Sequence, residues 1–542
     1  MATFGLDQTF IKKMKGSLKP ASILTDEASD FFILPQLHVI YEKCWDKLLD
    51  SVCSKLKNGT YGPKPPIEME IPKASRVSSR SISVIGPNYF RPGSVLLPED
   101  RIVYHFLAQE ASEAAEKKID RAKVFSHLPL ADAGAGFVSS HAQWSLLKQK
   151  LEKEIKSEKY TLAFKSDIAQ YFTSVNQHEL VNQLEHQRYP TELKSFLEKF
   201  LSSLTVDRSS RGLLQGLYGS DVLGNGYLIA IDDMIVERGH PHFRYVDDIY
   251  ILFKDSENFR DFFADFVKKL RDYDMSLNEA KTFITSPAKM LREETELDRE
   301  IEAAKAEARE KLTDYEKIEA ESGPYGHSTV IEIIENTPDE DEVELVATID
   351  IFDKLDDFKG EERDRAELFC LSFFRKAASP VALDYVLKKW SRSADKAREY
   401  ALYLSKFSKD PTHSKKIMET FEEAAGHMID YQWAWAAAVI RMLPQVSASF
   451  LTTIFAIQKD GSKNAVIRSL LTYSVCKFGS ASQKKEVRDK YNDSPLLVQL
   501  AIIHASQYFT SGERSSLMKT AEAHGDLQAL ICEAVKASKG RS

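Results

Sequence analysis

The sequence predicts an α+β protein in which a mixed strand-and-helix half precedes an all-helical half. Short alternating apolar segments occur between residues 61 and 286, whereas from about residue 360 the pattern is helix and turn alone. Residues 288–320 are rich in Glu, Lys, Arg and Ala, which is typical of a solvent-exposed helix. The Gly- and Pro-containing stretch Ser322–Ser328 follows that helix and is the best candidate for a domain boundary.

The N-terminal segment is predicted to be helical and to lead into a strand pair. Apolar residues recur at three- and four-residue steps over Leu34–Leu56, and Asn58-Gly59 ends that pattern. The Pro-rich stretch 61–66 reads as a stiff connector. Residues 80–109 then predict a strand, a turn and a second strand, followed by a helix that begins near Pro98.

Two short strands downstream carry acidic residues at their ends. Leu162 and Phe164 alternate in a predicted strand that ends at Asp167. In Tyr245–Asp248, two adjacent carboxylates interrupt two apolar strand segments, which predicts a hairpin with an acidic turn. Between them, the Gly-rich loop 212–220 leads into an apolar helix.

If these strands are neighbours in one sheet, Asp167, Asp247 and Asp248 converge at one edge. Hard carboxylate oxygens at such an edge are what two divalent cations need to clamp the reacting oxygens of a phosphoryl transfer. Taken one at a time, each aspartate is better explained as a turn or capping residue.

Composition excludes several classes of protein. Apolar content of 43% and charged content of 28% are ordinary for a globular protein, and no apolar run is long enough to span a bilayer. The five scattered cysteines argue against a zinc site or a disulfide framework. The net charge of −8 argues against extensive non-specific binding of nucleic acid. The first sixteen residues lack the apolar core of a signal peptide, and we expect a cytoplasmic protein.

The C-terminal half is predicted to be an irregular α-solenoid. Helix starts behind capping signals lie mostly thirty-odd residues apart, near Pro380, Ser393, Asp430, Asn464, Ser494 and Asp526. Because the self-similarity is weak, a plain helical bundle stays open. Trp433, Trp435 and Phe450 are expected in its core.

The order of these motifs resembles that of reverse transcriptases. Asp167-Ile-Ala-Gln-Tyr-Phe172 resembles motif A, Gln215-Gly216 with Ser220 resembles motif B, and Tyr245–Asp248 is motif C in full. Leu277-Asn278 with Lys281-Thr282 resembles motif D. Arg91-Pro92 resembles the fingers segment that holds the triphosphate, and Ile71-Pro72-Lys73 resembles the basic turn before it.

The resemblance implies a metal-binding role for the acidic residues. Asp167 and Asp247 would bind two Mg²⁺ ions, for which Mn²⁺ could substitute, and Asp248 would support the geometry. The backbone carbonyl of Ile168 would complete one coordination sphere. Lys281 would be the general acid toward the leaving pyrophosphate, although it also reads as a surface lysine beside a turn.

The resemblance also implies a nucleotide pocket. Phe172 would be the aromatic gate against a ribose 2′-hydroxyl, so that deoxynucleotides are preferred. Arg91 and Lys73 would pair with triphosphate oxygens, with Arg80 able to replace either one. Gln215 and Gly216 would line the pocket.

The departures from the general reverse transcriptase pattern indicate which subgroup the chain resembles. Leu214 and Asp221 stand where prolines are usual, and no thumb, RNase H or endonuclease pattern follows. A polymerase followed by helices is similar to the abortive-infection (AbiK-like, unknown-group) reverse transcriptases of bacterial phage defence. That similarity implies a HEAT-like C-terminal domain, a trimer or hexamer, and untemplated DNA synthesis from dNTPs. The single-stranded DNA product would be attached to a hydroxyl of the protein, for which Tyr41 and Tyr89 are candidates.

The predicted domains are therefore an N-terminal helical extension (1–70), fingers and palm (71–290), a charged helix and linker (291–330), and a HEAT-like repeat domain (331–542). Two other functions stay open at this stage. One is a templated reverse transcriptase that uses a partner RNA, and the other is a non-enzymatic scaffold that has kept the polymerase fold.

Overall fold

The computed structural model describes residues 4–27, 31–77, 86–130, 136–205, 210–321 and 339–537. The predicted boundary Ser322–Ser328 lies outside the described residues, and so do Arg80 and residues 331–338 of the predicted repeat domain. None of the described helices is long and apolar enough to cross a membrane.

The chain divides into two compact units, one made of residues 1–291 with 447–542 and the other of residues 292–446. This grouping differs from the predicted domain limits, which place 331–542 together and which stay a prediction. The physical reason for the grouping is that the last helices pack on the N-terminal ones, as described below.

The N-terminal part of the first unit is a helical layer with a two-stranded antiparallel sheet. Its elements are α1 (Gln8–Ser17), α2 (Pro20–Glu27), α3 (Pro35–Lys43), α4 (Trp45–Lys57), β1 (Ile67–Arg76), β2 (Asn88–Val95) and α5 (Pro98–Ala115). Of the strand, turn, strand and helix predicted over residues 80–109, the second strand and the helix are confirmed as β2 and α5, whereas residues 80–85, where the first strand was predicted, lie outside the described residues. Pro98 occupies the first position of α5, where its missing N–H costs nothing. The helical character predicted over Leu34–Leu56 is confirmed, and the segment forms two helices because the backbone leaves helical geometry at Cys44 (φ −126°).

A second, four-stranded antiparallel sheet lies at the centre of this unit's described residues, in the order β4-β5-β3-β6. The elements around it are α6 (Ser140–Ile155), β3 (Leu162–Ser166), α7 (Tyr171–Ser174), α8 (Gln177–His186), α9 (Thr191–Leu204), α10 (Tyr218–Tyr227), α11 (Ile229–Glu237), β4 (His242–Tyr245), β5 (Asp248–Phe253), α12 (Ser256–Asp272) and β6 (Phe283–Thr285). One face packs on α12, where Phe164 meets an aromatic cluster that includes Phe266. The other face packs on α6, where Trp144 lies against Tyr250. Because both faces are covered, the run 249–253 in β5 is apolar throughout and fully buried.

The remaining helices of the chain are α13 (Pro287–Glu321), α14 (Glu340–Asp353), α15 (Gly360–Lys376), α16 (Leu383–Lys389), α17 (Ala397–Leu404), α18 (Pro411–Ala424), α19 (Asp430–Ile440), α20 (Ala448–Lys459), α21 (Ala465–Phe478), α22 (Ala481–Asp489), α23 (Leu496–His504), α24 (Ser511–Glu522) and α25 (Asp526–Ala537). The predicted all-helical character of the described C-terminal residues is confirmed, whereas the HEAT-like label stays a prediction. Trp433, Trp435 and Phe450 are buried as expected.

Helices α20–α25 belong to the first unit because they pack on its N-terminal layer. Gln36 in α3 donates a hydrogen bond to Ser469 in α21 (3.1 Å). Asn464, the N-cap of α21, donates to the carbonyl oxygen of Glu68 in β1 (2.7 Å). The thiol of Cys44 lies 3.3 Å from the carbonyl oxygen of Leu530. The C-terminal helices therefore brace the strand pair that carries Lys73 and Arg91.

Candidate active site

The acidic hairpin is confirmed, and its turn contains Val246 and Asp247. Tyr245 pairs with Asp248 across β4 and β5, so the connection is a two-residue turn. Asp248 is the first residue of β5 rather than part of the turn. Val246 adopts φ +56°, a left-handed conformation that a β-branched residue rarely takes.

The sheet brings Asp167 to the end of the strands at which the acidic turn lies. In the antiparallel pair of β3 and β5, Ser166 lies opposite Ile249, so one step further along each strand Asp167 lies opposite Asp248. The prediction that these strands are neighbours is therefore confirmed.

The pKa of Asp247 shows that its carboxyl group is buried and lies close to the other two carboxylates. Burial, followed by the negative charges of Asp248 and Asp167, raises the pKa of Asp247 to about 7. A buried carboxyl group with two further negative charges beside it is a site where added positive charge is favourable.

Asp167 is held in place by the turn that precedes β6. Asn278 donates from its side-chain Nδ2 to Oδ2 of Asp167 (2.8 Å) and from its backbone N–H to the Asp167 carbonyl oxygen (2.8 Å). The ammonium of Lys281, half-exposed, lies 4.0 Å from Oδ1 of Asp167. Ile168 is buried and forms a backbone bridge with Leu277.

Phe172 and the Gly-rich loop lie side by side. The backbone N–H of Leu213 donates to the carbonyl oxygen of Phe172 (2.7 Å), which places Gln215 and Gly216 just beyond the aromatic residue. A Cβ added to Gly224 would lie 3.2 Å from the Phe172 ring, so this glycine leaves room for the ring against α10.

Phe31 joins this loop to the strand pair of the N-terminal layer. A Cβ on Gly216, whose φ is +85°, would lie 2.6 Å from the Phe31 ring, and one on Gly93 would lie 2.9 Å from it. The guanidinium of Arg91 lies over the same ring, 4.9 Å from its centroid. Arg91 pairs with Ile71 across the strands, and Lys73 lies two residues beyond Ile71, where the register of the two strands shifts.

A buried ionic cluster lies directly behind the acidic turn. Arg244 in β4 is fully buried, and its guanidinium binds Asp232 in α11 through Nε (2.9 Å) and Nη2 (2.7 Å). Its Nη1 donates to Asn225 (3.0 Å) and to the carbonyl oxygen of Val246 (3.1 Å). This cluster was not predicted, although an arginine in an otherwise buried strand is a signal that could have indicated it.

Comparison with known proteins gives the family of this region. Residues 73–311 match the family model described as reverse transcriptase (RNA-dependent DNA polymerase). This part of the chain is a reverse transcriptase domain. Such a domain implies a nucleotidyltransferase, or polymerase, activity and the general use of divalent metal ions.

Three solved telomerase structures are similar to the chain at low identity, and each alignment covers 79% of this chain. Telomerase from Candida albicans in complex with a TWJ fragment of telomeric RNA has 10% identity over 70% of its chain and a TM-score of 0.28. Apo telomerase from Candida tropicalis has 12% identity over 73% of its chain and a TM-score of 0.28. The Candida tropicalis enzyme with a TWJ fragment has 11% identity over 67% of its chain and a TM-score of 0.29. No curated protein matches the chain.

The acidic edge of the reverse transcriptase domain fits divalent cations by its donor chemistry. Carboxylates are the hard oxygen ligands such ions prefer, and both the burial and the neighbouring negative charges that raise the pKa of Asp247 would be offset by a bound cation. Among the described residues, no group of three or more His, Cys, Asp or Glu side chains is already arranged as a metal-ligand set. The three carboxylates lie at one end of the same strands, but their side chains have to move before they can surround an ion.

The predicted site residues of the reverse transcriptase domain fall into two groups. One gathers around Asp167, and the other gathers around Phe31 and the Gly-rich loop. Their catalytic and binding roles stay predictions. Sequence reasoning missed Phe31, and no local pattern could have indicated it, because its partners lie some sixty and nearly two hundred residues away in the chain.

Proposed function

We propose that the chain is a DNA polymerase that joins dNTPs by two-metal nucleotidyl transfer, without a template, starting from one of its own hydroxyl groups. The observation that carries the catalytic part is the meeting of Asp167, Asp247 and Asp248 at one edge of the central sheet. Two Mg²⁺ ions are the natural occupants, with Mn²⁺ as a substitute.

The residues of the acidic edge have distinct roles in this proposal. Asp167 and Asp247 would hold both ions, Asp248 would fix the geometry, and the carbonyl of Ile168 would complete one coordination sphere. When bound, the ions neutralise charge on the attacking and leaving oxygens. Lys281, already next to Asp167, donates a proton to the leaving pyrophosphate.

The nucleotide is bound between the Gly-rich loop and the strand pair. Arg91 and Lys73 contact the triphosphate, and Gln215 and Gly216 line the base and sugar pocket. Phe172 lies beside this loop and excludes a 2′-hydroxyl, which selects deoxynucleotides.

Two observations support synthesis without a template. The first is the net charge of −8, which is unlike that of a protein that binds a long nucleic-acid duplex. The second is that the Phe31 ring fills the space between Gly216 and Gly93. Of the two tyrosines considered as primers, Tyr41 is fully buried, whereas Tyr89 is 53% exposed and lies two residues from Arg91. Tyr89 is thus the better placed hydroxyl.

The biological setting rests on the resemblance to abortive-infection polymerases. It comprises a cytoplasmic role in bacterial phage defence, a trimer or hexamer, and a HEAT-like partner-binding domain. A templated polymerase that uses a partner RNA is the second candidate, and the description of the matching family as RNA-dependent favours it.

The test uses purified protein with Mg²⁺ and each labelled dNTP, without nucleic acid, followed by denaturing electrophoresis with and without protease. We expect label that stays with the protein until protease is added, and peptide mapping would then locate the attachment. Asp247→Asn should abolish the label. The matched control is Asp356→Asn, which makes the same change at a side chain that is 96% exposed.

The other outcomes separate the candidates. Synthesis only after RNA and a primer are added would overturn the untemplated proposal and favour the templated one. No incorporation under either condition would leave the scaffold function, with the reverse transcriptase domain as a binding module.

A further inference from the structure

The turn that carries Asp247 needs an external support. Val246 is β-branched and adopts φ +56°, a left-handed conformation that is sterically unfavourable for a residue other than glycine. Such a conformation persists only where the surrounding structure fixes it. Asp247 is the next residue, so the conformation of Val246 sets the direction of its carboxylate.

Arg244 is the side chain that reaches this turn from within the protein. Its Nη1 donates to the carbonyl oxygen of Val246 (3.1 Å), which fixes the peptide that links Val246 to Asp247. The planar guanidinium cannot swing away, because Nε and Nη2 are bound to the carboxylate of Asp232 and Nη1 also donates to Asn225.

The backbone of Arg244 is fixed as well. Its N–H donates to the carbonyl oxygen of Lys123 (2.8 Å), and its own carbonyl oxygen accepts from the N–H of Phe125 (3.0 Å). Strand β4 is therefore held on its outer side by the segment 123–125 while its other side pairs with β5. The guanidinium thus extends from a rigid base.

Stability alone does not explain why the ion pair of Arg244 and Asp232 is buried. A buried salt bridge can often be replaced by apolar side chains of similar volume with little loss of stability, so its presence beside a strained turn calls for another reason. The hydrogen bond to Val246 supplies one.

We propose that Arg244, locked by Asp232 and Asn225, is a positioning residue that sets the Val246–Asp247 turn so that the Asp247 carboxylate can bind a divalent cation. It acts through the backbone of Val246. The inference rests on the proposed function only in taking Asp247 as a metal ligand.

The test measures Mn²⁺ binding to the full-length protein by the loss of the free-ion signal in electron paramagnetic resonance. The main variant is Arg244→Met with Asp232→Leu, which removes both buried charges and leaves Asn225 its partner Ser126. We expect a cooperative thermal transition close to that of wild type and Mn²⁺ binding weakened about 10- to 100-fold.

A rescue variant separates positioning from folding. Val246→Gly lets the turn adopt its left-handed conformation without a clamp, so it should restore much of the affinity in the double variant and change wild type little. If the double variant does not fold, Arg244→Lys takes its place. It keeps a positive charge beside Asp232 but lacks the fork that reaches Val246, and it should show the same loss and the same rescue.

Three results would overturn the inference. The first is a folded double variant that binds Mn²⁺ as wild type does. The second is a loss of affinity that Val246→Gly does not restore, since the pair would then act through the fold at large. The third is Mn²⁺ binding by wild type that Asp247→Asn leaves unchanged, which would also remove the metal site of the proposed function and so identifies that failure separately.

Discussion

Asn278 donates two hydrogen bonds to Asp167, one from its side chain to the carboxylate and one from its backbone to the carbonyl oxygen, each 2.8 Å long. The turn before β6 is thereby attached to the end of β3. One carboxylate oxygen is oriented by this contact, and the other faces the ammonium of Lys281. The orientation of Asp167 is therefore set by a residue some 110 positions away in the chain.

Asn278→Ala should weaken metal-dependent activity by about 10- to 100-fold, because a partner that orients a metal-binding carboxylate typically contributes that much. The loss should appear chiefly as a higher Mg²⁺ concentration at half-maximal nucleotide incorporation. Asn492→Ala, at an exposed position, is the control that should leave the Mg²⁺ titration unchanged. An unchanged titration in Asn278→Ala would mean that the contact does not orient Asp167 for catalysis.

The acidic edge could be predicted from the sequence because its signals are local. Alternating apolar residues fixed the strands, and the aspartates stood where those strands ended, so only the pairing of β3 with β5 had to be assumed. The roles of Arg244 and Phe31 depend on contacts between segments that are distant in the chain, and the spacing of apolar residues does not indicate such contacts. The kink at Cys44 was missed for a related reason: the apolar spacing continues through it while the backbone does not.

Phe172→Ala should let the enzyme accept ribonucleotides. If the ring blocks a 2′-hydroxyl, its removal should reduce the preference for dNTP over rNTP at least about tenfold in kcat/KM, which corresponds to about 1.4 kcal/mol. The measurement compares the two nucleotide classes in the same incorporation assay. Phe172→Tyr retains the ring and should retain the preference. An unaltered preference in Phe172→Ala would exclude this residue as the gate.

Phe31→Ala should tighten nucleotide binding. The Phe31 ring lies against Gly216 and beneath Arg91, both of which are proposed to contact the nucleotide, so the ring has to give way when a nucleotide binds. A cation–π contact of about 0.5–1 kcal/mol would then be lost on binding, and its removal should lower KM about two- to fivefold. The measurement is KM for the preferred dNTP.

The control for Phe31 is Ile33→Ala, which truncates an exposed apolar residue of the same segment and should leave KM unchanged. A higher KM in Phe31→Ala would reverse the interpretation, since the ring would then be a stacking surface for the base rather than a competitor.

Asp247→Asn should stabilise the metal-free protein at high pH. Burial, followed by the charges of Asp248 and Asp167, raises the pKa of Asp247 to about 7. In the unfolded chain an aspartate titrates with a pKa of about 3.9, so the folded state binds more protons than the unfolded state between about pH 4 and pH 7. The contribution of Asp247 to stability is thus fully present below about pH 4 and is lost as the pH rises through about 7.

At pH 8 in EDTA, the free energy of unfolding of Asp247→Asn should therefore exceed that of wild type by on the order of 4 kcal/mol, and this difference should fall to on the order of 1 kcal/mol at pH 5. Thermal or urea unfolding at both pH values measures the difference, with Asp356→Asn as the exposed control. Adding Mg²⁺ at pH 8 should stabilise wild type but not the variant, because only the ionised carboxylate binds the ion. A variant that is less stable than wild type at pH 8 without metal would show that Asp247 is held by attractive contacts, and the repulsive acidic edge would have to be abandoned.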